Sequence, residues 1–206
     1  MQVDLNIFYP RDGSAKKNEL GLDGKFTLFY HGSVGYERGV VEVVKAFCSL
    51  DNDDIHFFIL GAGAEMENIR KLKDEQHLHN VHLHPPVAYK EVPNYIAMSD
   101  ICIVPLPDKE YWRVSSPLKV MEYLAMGKPI ILTDIVAHRE IIKNRNDAFF
   151  IPDLNEETLV TAIRGAYHRK VDLLRMGKAS LRNAEENCSW HIRAERLVNF
   201  LHKIRS

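Results

Sequence analysis

The sequence is poor in cysteine and in net charge, and it has no long apolar run. Its three cysteines, Cys48, Cys102 and Cys188, are far apart, odd in number and each in an apolar setting. That excludes a disulfide framework and predicts buried free thiols in a reducing compartment. A formal charge of -1 provides no general field for nucleic acid or an anionic membrane, so any anion must be met by local groups. No stretch nears the roughly 18 apolar residues of a membrane span, and the first residues carry no signal-peptide pattern. The chain therefore reads as cytoplasmic, with a peripheral membrane role left open. No G-x-x-x-x-G-K-[ST] occurs, which removes a P-loop. Gly61-x-Gly63 begins like a dinucleotide fingerprint, but Met66 holds the third glycine position and no acidic residue closes a second strand about 20 residues on. His77, His79, His82 and His84 crowd one segment. Only His82 and His84 would share a strand face, and no carboxylate or cysteine joins them at ligand spacing, so no metal site is expected.

What is present is a chain of 206 residues, 46% apolar, enough for one large domain or two small ones with ample core. Residues 1–24 are polar and turn-rich and read as a lead-in segment rather than a core element; residues 25–206 read as the folded domain. Strands are predicted at Phe26 to His31, Ile55 to Leu60, Val81 to Leu83, Ile101 to Val104, Ile130 to Thr133 and Phe149 to Ile151. Helices alternate with them, marked by Val40, Val43, Val44 and Phe47, by Met66, Ile69 and Leu72, and by a short run from Glu91 to Met98. Three more helices, Glu156 to His168, Val171 to Glu185 and His191 to Ile204, close the chain. About six strands alternating with helices predict an α/β, doubly wound, Rossmann-like parallel sheet with helices on both faces.

The stretch from Ser115 to Asp134 organises the rest. Ser116 suits an N-cap, Pro117 the first helical position, and Leu118, Met121, Leu124 and Ala125 recur at helical spacing before Gly127 and Pro129 end the helix. Free backbone N–H groups from Ser116 to Lys119, the positive end of the helix dipole and the Lys119 ammonium together make an anion site. Glu122, one turn on, lies on a side that the apolar stripe leaves free, where a carboxylate would accept hydrogen bonds from a ribose diol. Phosphate and sugar together suggest a nucleotide; the alternative is an i,i+3 surface pair of Lys119 with Glu122. Earlier in the chain, strand, glycine loop and helix follow one another through Gly32, Ser33, Gly35, Arg38 and Gly39. The glycines let a ligand approach the backbone, and Arg38 offers a planar fork for phosphate oxygens. An ordinary βα turn with an exposed arginine is the alternative. The loop from Pro105 to Val114, with Tyr111 and Trp112, is suited to act as a lid.

The order of these motifs resembles the C-terminal, donor-binding domain of group 1 glycosyltransferases with the GT-B fold. Residues 3–10 look like the segment entering that domain, and His31 to Phe47 resembles its G-R-L-x-x-x-K-G loop and helix. Phe58 to Gly63 is similar to its V-G-x-G strand end, Asn80 to Pro105 to its strand, loop and A-D-x-x-x-x-P run, and Ser189-Trp190 to the start of its last helix. Pro117 to Asp134 is similar to the variant P-L-K-x-x-E-Y-x-A-x-G-K-P-I-I-x-T-D.

By that resemblance Arg38, in place of the lysine of the K-G pair, binds the donor diphosphate with Gly32, Ser33 and the Ser116, Pro117, Leu118 and Lys119 turn. Glu122, the second glutamate of E-x7-E, binds ribose, and the base stacks near Pro86 and Val87. Two positions depart from the pattern: Ser33 stands where an arginine is usual, and Val114 where the first glutamate is expected. The resemblance implies half of a retaining glycosyltransferase that takes a sugar from a nucleotide diphosphate donor without a metal or other cofactor. Its partner would be an N-terminal acceptor-binding domain not in this chain, through which peripheral membrane contact would come; nucleic acid is not expected. A nucleotide-sugar epimerase of similar fold and a non-catalytic nucleotide-binding module are the alternatives.

Overall fold

The computed structural model describes residues 2–205, apart from the side chains of Lys170, Arg193, Arg196, Lys203 and Arg205. Six strands, β1 (Phe26–Ser33), β2 (Ile55–Ala62), β3 (Val81–His84), β4 (Ile101–Val104), β5 (Ile130–Thr133) and β6 (Phe149–Ile151), form one sheet in the order β3-β2-β1-β4-β5-β6. Every pairing is parallel. The helices are α1 (Ser14–Glu19), α2 (Val40–Phe47), α3 (Met66–Glu75), α4 (Val92–Met98), α5 (Glu110–Arg113), α6 (Leu118–Ala125), α7 (Val136–Ile141), α8 (Glu156–His168), α9 (Lys170–Asn183) and α10 (Trp190–Arg205). The predicted doubly wound α/β fold is thus the observed one. Its chain order reverses between β1 and β4, and the crevice beyond their carboxyl ends is the usual ligand position of such sheets.

The strands read as unbroken apolar runs because both faces are covered. All four residues of β4 and all four of β5 are buried. Alternation along each strand splits the core into two layers. Phe29, Phe58, Cys102, Val104, Ile130 and Leu132 face α4 and α6, while Leu28, Tyr30, Phe57, Ile101, Ile103 and Ile131 face α2 and α8.

Three expectations are corrected. The segment 1–24 carries α1 and buries Val3, Phe8 and Leu22 completely, or nearly so, in the first of those layers. These isolated apolar residues have no periodicity to announce them; Val3, for one, is bridged to Ser189 near the other end of the chain. Ser116 is not a cap: Pro117 holds the N-cap position with ψ 97, and no side chain bonds the first turn of α6. Cys48 is exposed one residue past α2, while Cys102 and Cys188 are buried. Among the described residues no helix is long and apolar enough to cross a membrane.

Candidate donor site

The end of β1 and the start of α6 meet at the chain-reversal point. Tyr123 of α6 is fully buried, and its hydroxyl accepts from the His31 backbone N–H at 3.1 Å, which fixes the helix against the strand. Gly32, with φ +109, then turns the chain under the Lys119 side chain. A Cβ there would lie 2.9 Å from Lys119 Cε, a contact the flexible lysine could relieve, so it is the backbone conformation that calls for glycine.

Lys119 forms no ion pair or hydrogen bond among the described residues; its nearest partner is the Tyr30 ring, 5.4 Å from Nζ. Burial first, and then the neighbouring Arg38 charge, depress its pKa to about 8, with Glu122 opposing them. Arg38 has no carboxylate partner among the described residues either. Its guanidinium lies over the Trp112 ring at 4.4 Å. Two cations therefore converge with no carboxylate in ion-pair contact with either among the described residues, and Glu122 only partly offsets the like-charge repulsion and desolvation that oppose the arrangement. The backbone N–H groups of Ser116, Leu118 and Lys119 have no backbone acceptor among the described residues, so they add positive potential at the same helix end. Pro117 has no N–H and brings no donor, which corrects the unbroken Ser116 to Lys119 run of donors.

Glu122 is not on an open helix face. It is 3% exposed, with Oε1 accepting from the Tyr89 hydroxyl at 2.9 Å and Oε2 lying 3.1 Å from His31 Nε2. Burial pushes its pKa up, but His31, Tyr89 and Lys119 outweigh that, and the net shift is downward, so it is a carboxylate at neutral pH. The i,i+3 surface pair is excluded, because Lys119 and Glu122 make no ion pair and Glu122 is buried.

A cavity of about 290 Å³ opens beside this corner, lined by His31, Gly32, Ser33, Leu60, Gly61, Ala62, Pro86, Val87 and Val92. Pro86, Val87, Gly32 and Ser33 are thus brought to one wall, while Ser116, Pro117 and Leu118 are half-buried and outside it. A larger cavity, about 730 Å³, lies at the opposite, amino ends of β1, β4 and β5. There Lys17 is paired with Asp100 at 2.7 Å, Lys25 with Asp54 at 2.9 Å, and Lys128 donates to the Ala97 and Ser99 carbonyls. Lys178 lines it too, so the two carboxylates leave positive charge over, but this is the amino end of the sheet, away from the carboxyl rim where such folds bind ligands.

The loop between β4 and α6 lies on the Arg38 turn. Trp112 Nε1 donates to the Glu37 carbonyl at 3.0 Å, the Tyr111 hydroxyl donates to the Glu37 carboxylate, and Lys109 pairs with the same carboxylate at 3.5 Å. These contacts hold Glu37 at φ +58, an unusual conformation for a non-glycine residue. Val114 is 82% exposed and contacts none of this. Asp134, at the end of β5, directs its carboxylate to Arg139 and Arg145 instead of the cavity. Sequence reasoning missed His31 and Tyr89 as neighbours of the site, and it put Trp112 in a lid loop without its contact to Arg38. The position of His31 directly before Gly32 was the one available signal.

Residues 12–183 match the family model described as glycosyl transferases group 1. The chain belongs to the group 1 glycosyltransferases. Among curated relatives of this group 1 chain, spore coat protein SA of Bacillus subtilis is 26% identical over 98% of the chain and 57% of its own length. HepE of Anabaena, solved in complex with UDP, superposes with a TM-score of 0.87 at 13% identity, over 98% of this chain and 56% of that one. The C-terminal domain of the group 1 family protein LpcC from Francisella tularensis matches at a TM-score of 0.78 and 15% identity, over 91% of this chain and 99% of that domain. The fold is that of GT-B glycosyltransferases, and the group 1 chain spans about half the length of the full-length relatives it matches.

Proposed function

We propose that this chain is the donor-binding half of a retaining glycosyltransferase, and that it holds a nucleotide diphosphate sugar at the carboxyl rim between β1 and β4. The observation that carries this reading is the pair of uncompensated cations. Arg38 and Lys119 approach one another with no carboxylate in ion-pair contact with either among the described residues, beside the free N–H groups of α6. A diphosphate supplies the missing charge, accepting from Arg38, Lys119 and the Gly32–Ser33 backbone. Glu122 takes the ribose hydroxyls, and the base enters the cavity against Pro86 and Val87. HepE has been solved with UDP and with UDP-glucose, which supports a donor of this class.

The chemistry asked of this half is electrostatic. When the bond from sugar to diphosphate breaks, negative charge grows on the leaving phosphate, and fixed cations with a helix end stabilise it without a metal. The acceptor would be held by a second domain upstream. The exposed stripe of Leu197, Phe200, Leu201 and Ile204 on α10 is an apolar face of the kind such a domain would cover. Ser33 and the exposed Val114 favour a second reading, a module that binds nucleotide without transferring sugar. The test is to join the chain to its upstream half and follow nucleotide release and glycosylated product from a panel of nucleotide sugars. Turnover supports the transferase; stoichiometric binding without turnover supports the module.

A further inference from the structure

Glu122 is the one buried carboxylate at the site; its Oε1 accepts a hydrogen bond from Tyr89, and its Oε2 faces His31 Nε2 at 3.1 Å without a hydrogen bond between them. His31, on Oε2, is a fixture: its ring is buried beside Phe29 and Tyr123 and its backbone is part of β1. Tyr89, on Oε1, is different. It is 53% exposed and begins a three-residue 3-10 turn, Tyr89–Glu91, that buries none of its side chains. Its ring rests on Phe8 at 5.2 Å between centroids. The turn starts two residues after Val87, which lines the cavity, and its phenol reaches Glu122. Burial and the Glu122 charge hold the Tyr89 pKa well above its usual value, so it remains an O–H donor at neutral pH.

We propose that the Tyr89 hydroxyl is a stand-in for a ribose hydroxyl: it occupies Glu122 Oε1 while the site is empty and must swing away for a nucleotide to bind through its diol. This rests on the donor reading above and adds to it a residue that sets selectivity and affinity. Because the closed arrangement lowers the competent fraction, the apparent dissociation constant is raised by the inverse of that fraction. A ligand without the diol leaves Tyr89 in place and does not meet this cost.

The experiment compares the parent chain with Tyr89→Phe, which keeps the ring on Phe8 and deletes only the hydroxyl. UDP, ADP and GDP are titrated by calorimetry, followed by the 2′,3′-dideoxy form of whichever binds. Tyr89→Phe should tighten binding of the ribonucleotide by about three- to tenfold, for a closed fraction of about 70–90%, and leave the dideoxy form unchanged. A tyrosine that merely supports the fold would give weaker binding, so the sign separates the two roles. Unchanged or weaker ribonucleotide binding would overturn the proposal, as would equal tightening of both forms, which would make Tyr89 a steric plug. If none of the three nucleotides binds the parent, or if Glu122→Gln leaves binding untouched, the donor reading itself fails and this inference with it.

Discussion

Lys119→Met is expected to make the protein more stable and a worse nucleotide binder. The ammonium of Lys119 is largely buried beside Arg38 with no ion-pair partner among the described residues, and its pKa falls from 10.5 to about 8 although Glu122 opposes the fall. A fall of that size means that the charged form is disfavoured by about 3 kcal/mol, at roughly 1.4 kcal/mol per pH unit. At pH 7 the group is still protonated, so the folded protein carries that cost. Methionine keeps the length and apolar stem and removes the charge. Allowing for residual solvent around a half-buried side chain, the gain should be about 1–2 kcal/mol, or about 3–6 °C in melting temperature for a chain of this size. The pH dependence supplies a check on sign. Between pH 8 and 10.5 the unfolded chain holds a proton on Lys119 that the native chain has lost, so this group makes parent stability rise with pH in that window. The rise should be reduced in the variant. Nucleoside diphosphate affinity should fall by about 1.5–3 kcal/mol, the usual worth of a charge-assisted hydrogen bond. The assays are thermal melts from pH 7 to 10.5 and calorimetric titration. A variant that melts lower than the parent and binds nucleotide equally well would refute the argument, because Lys119 would then be a structural residue.

Arg38→Ala and Glu122→Ala should each weaken nucleotide binding by about 1.5–3 kcal/mol in the same titration, and only the Arg38 change should flatten the dependence on salt. His138 is completely buried, and burial pushes its pKa down to about 4 against the opposing Thr133 carbonyl. Between pH 6.5 and 4 the unfolded chain therefore holds a proton that the native chain does not, and stability falls as pH falls; from pH 7 to pH 5 the loss should be about 2 kcal/mol. A titration of its ring resonance centred near 6.5 would contradict this. Chelators should leave the melting temperature unchanged, since His56 Nδ1 and His82 Nε2 bond each other at 2.8 Å and no group of three metal-binding side chains occurs among the described residues. A stoichiometric metal lost together with stability would refute it. The chain alone should bind donor without sustained transfer, because the proximity term of roughly 7–11 kcal/mol needs an acceptor held against the donor; product formation at about 1 s⁻¹ or faster would show that the active site lies elsewhere.

The sheet was legible because its strands are short apolar runs separated by turn residues. Ile101 to Val104 and Ile130 to Thr133 are central strands covered on both faces, and no other element suits such runs. The setting of Glu122 was not legible. Helical spacing assigns a free face to a helix that has one, but α6 is buried from Val120 to Ala125, with the sheet on one side and α9 and the turn at Ala184–Cys188 on the other. A carboxylate inside such a helix looks, in sequence, like one on its surface. Val3, Phe8 and Leu22 were hidden for a related reason: single apolar residues in a polar segment become core only through contacts distant in sequence. Tyr89 and His31 could not be joined to Glu122 because three separate elements, brought together by the sheet order, supply them.

The central claim is that the carboxyl rim between β1 and β4 takes a nucleoside diphosphate through Arg38 and Lys119. Calorimetric titration of the parent and of the Arg38→Ala, Lys119→Met double variant with UDP, ADP and GDP tests it most directly. One of the three should bind the parent saturably at one site per chain, and the double variant, still folded by its melting transition, should lose that binding. Binding that survives both substitutions, or a parent that binds none of the three, would contradict the account.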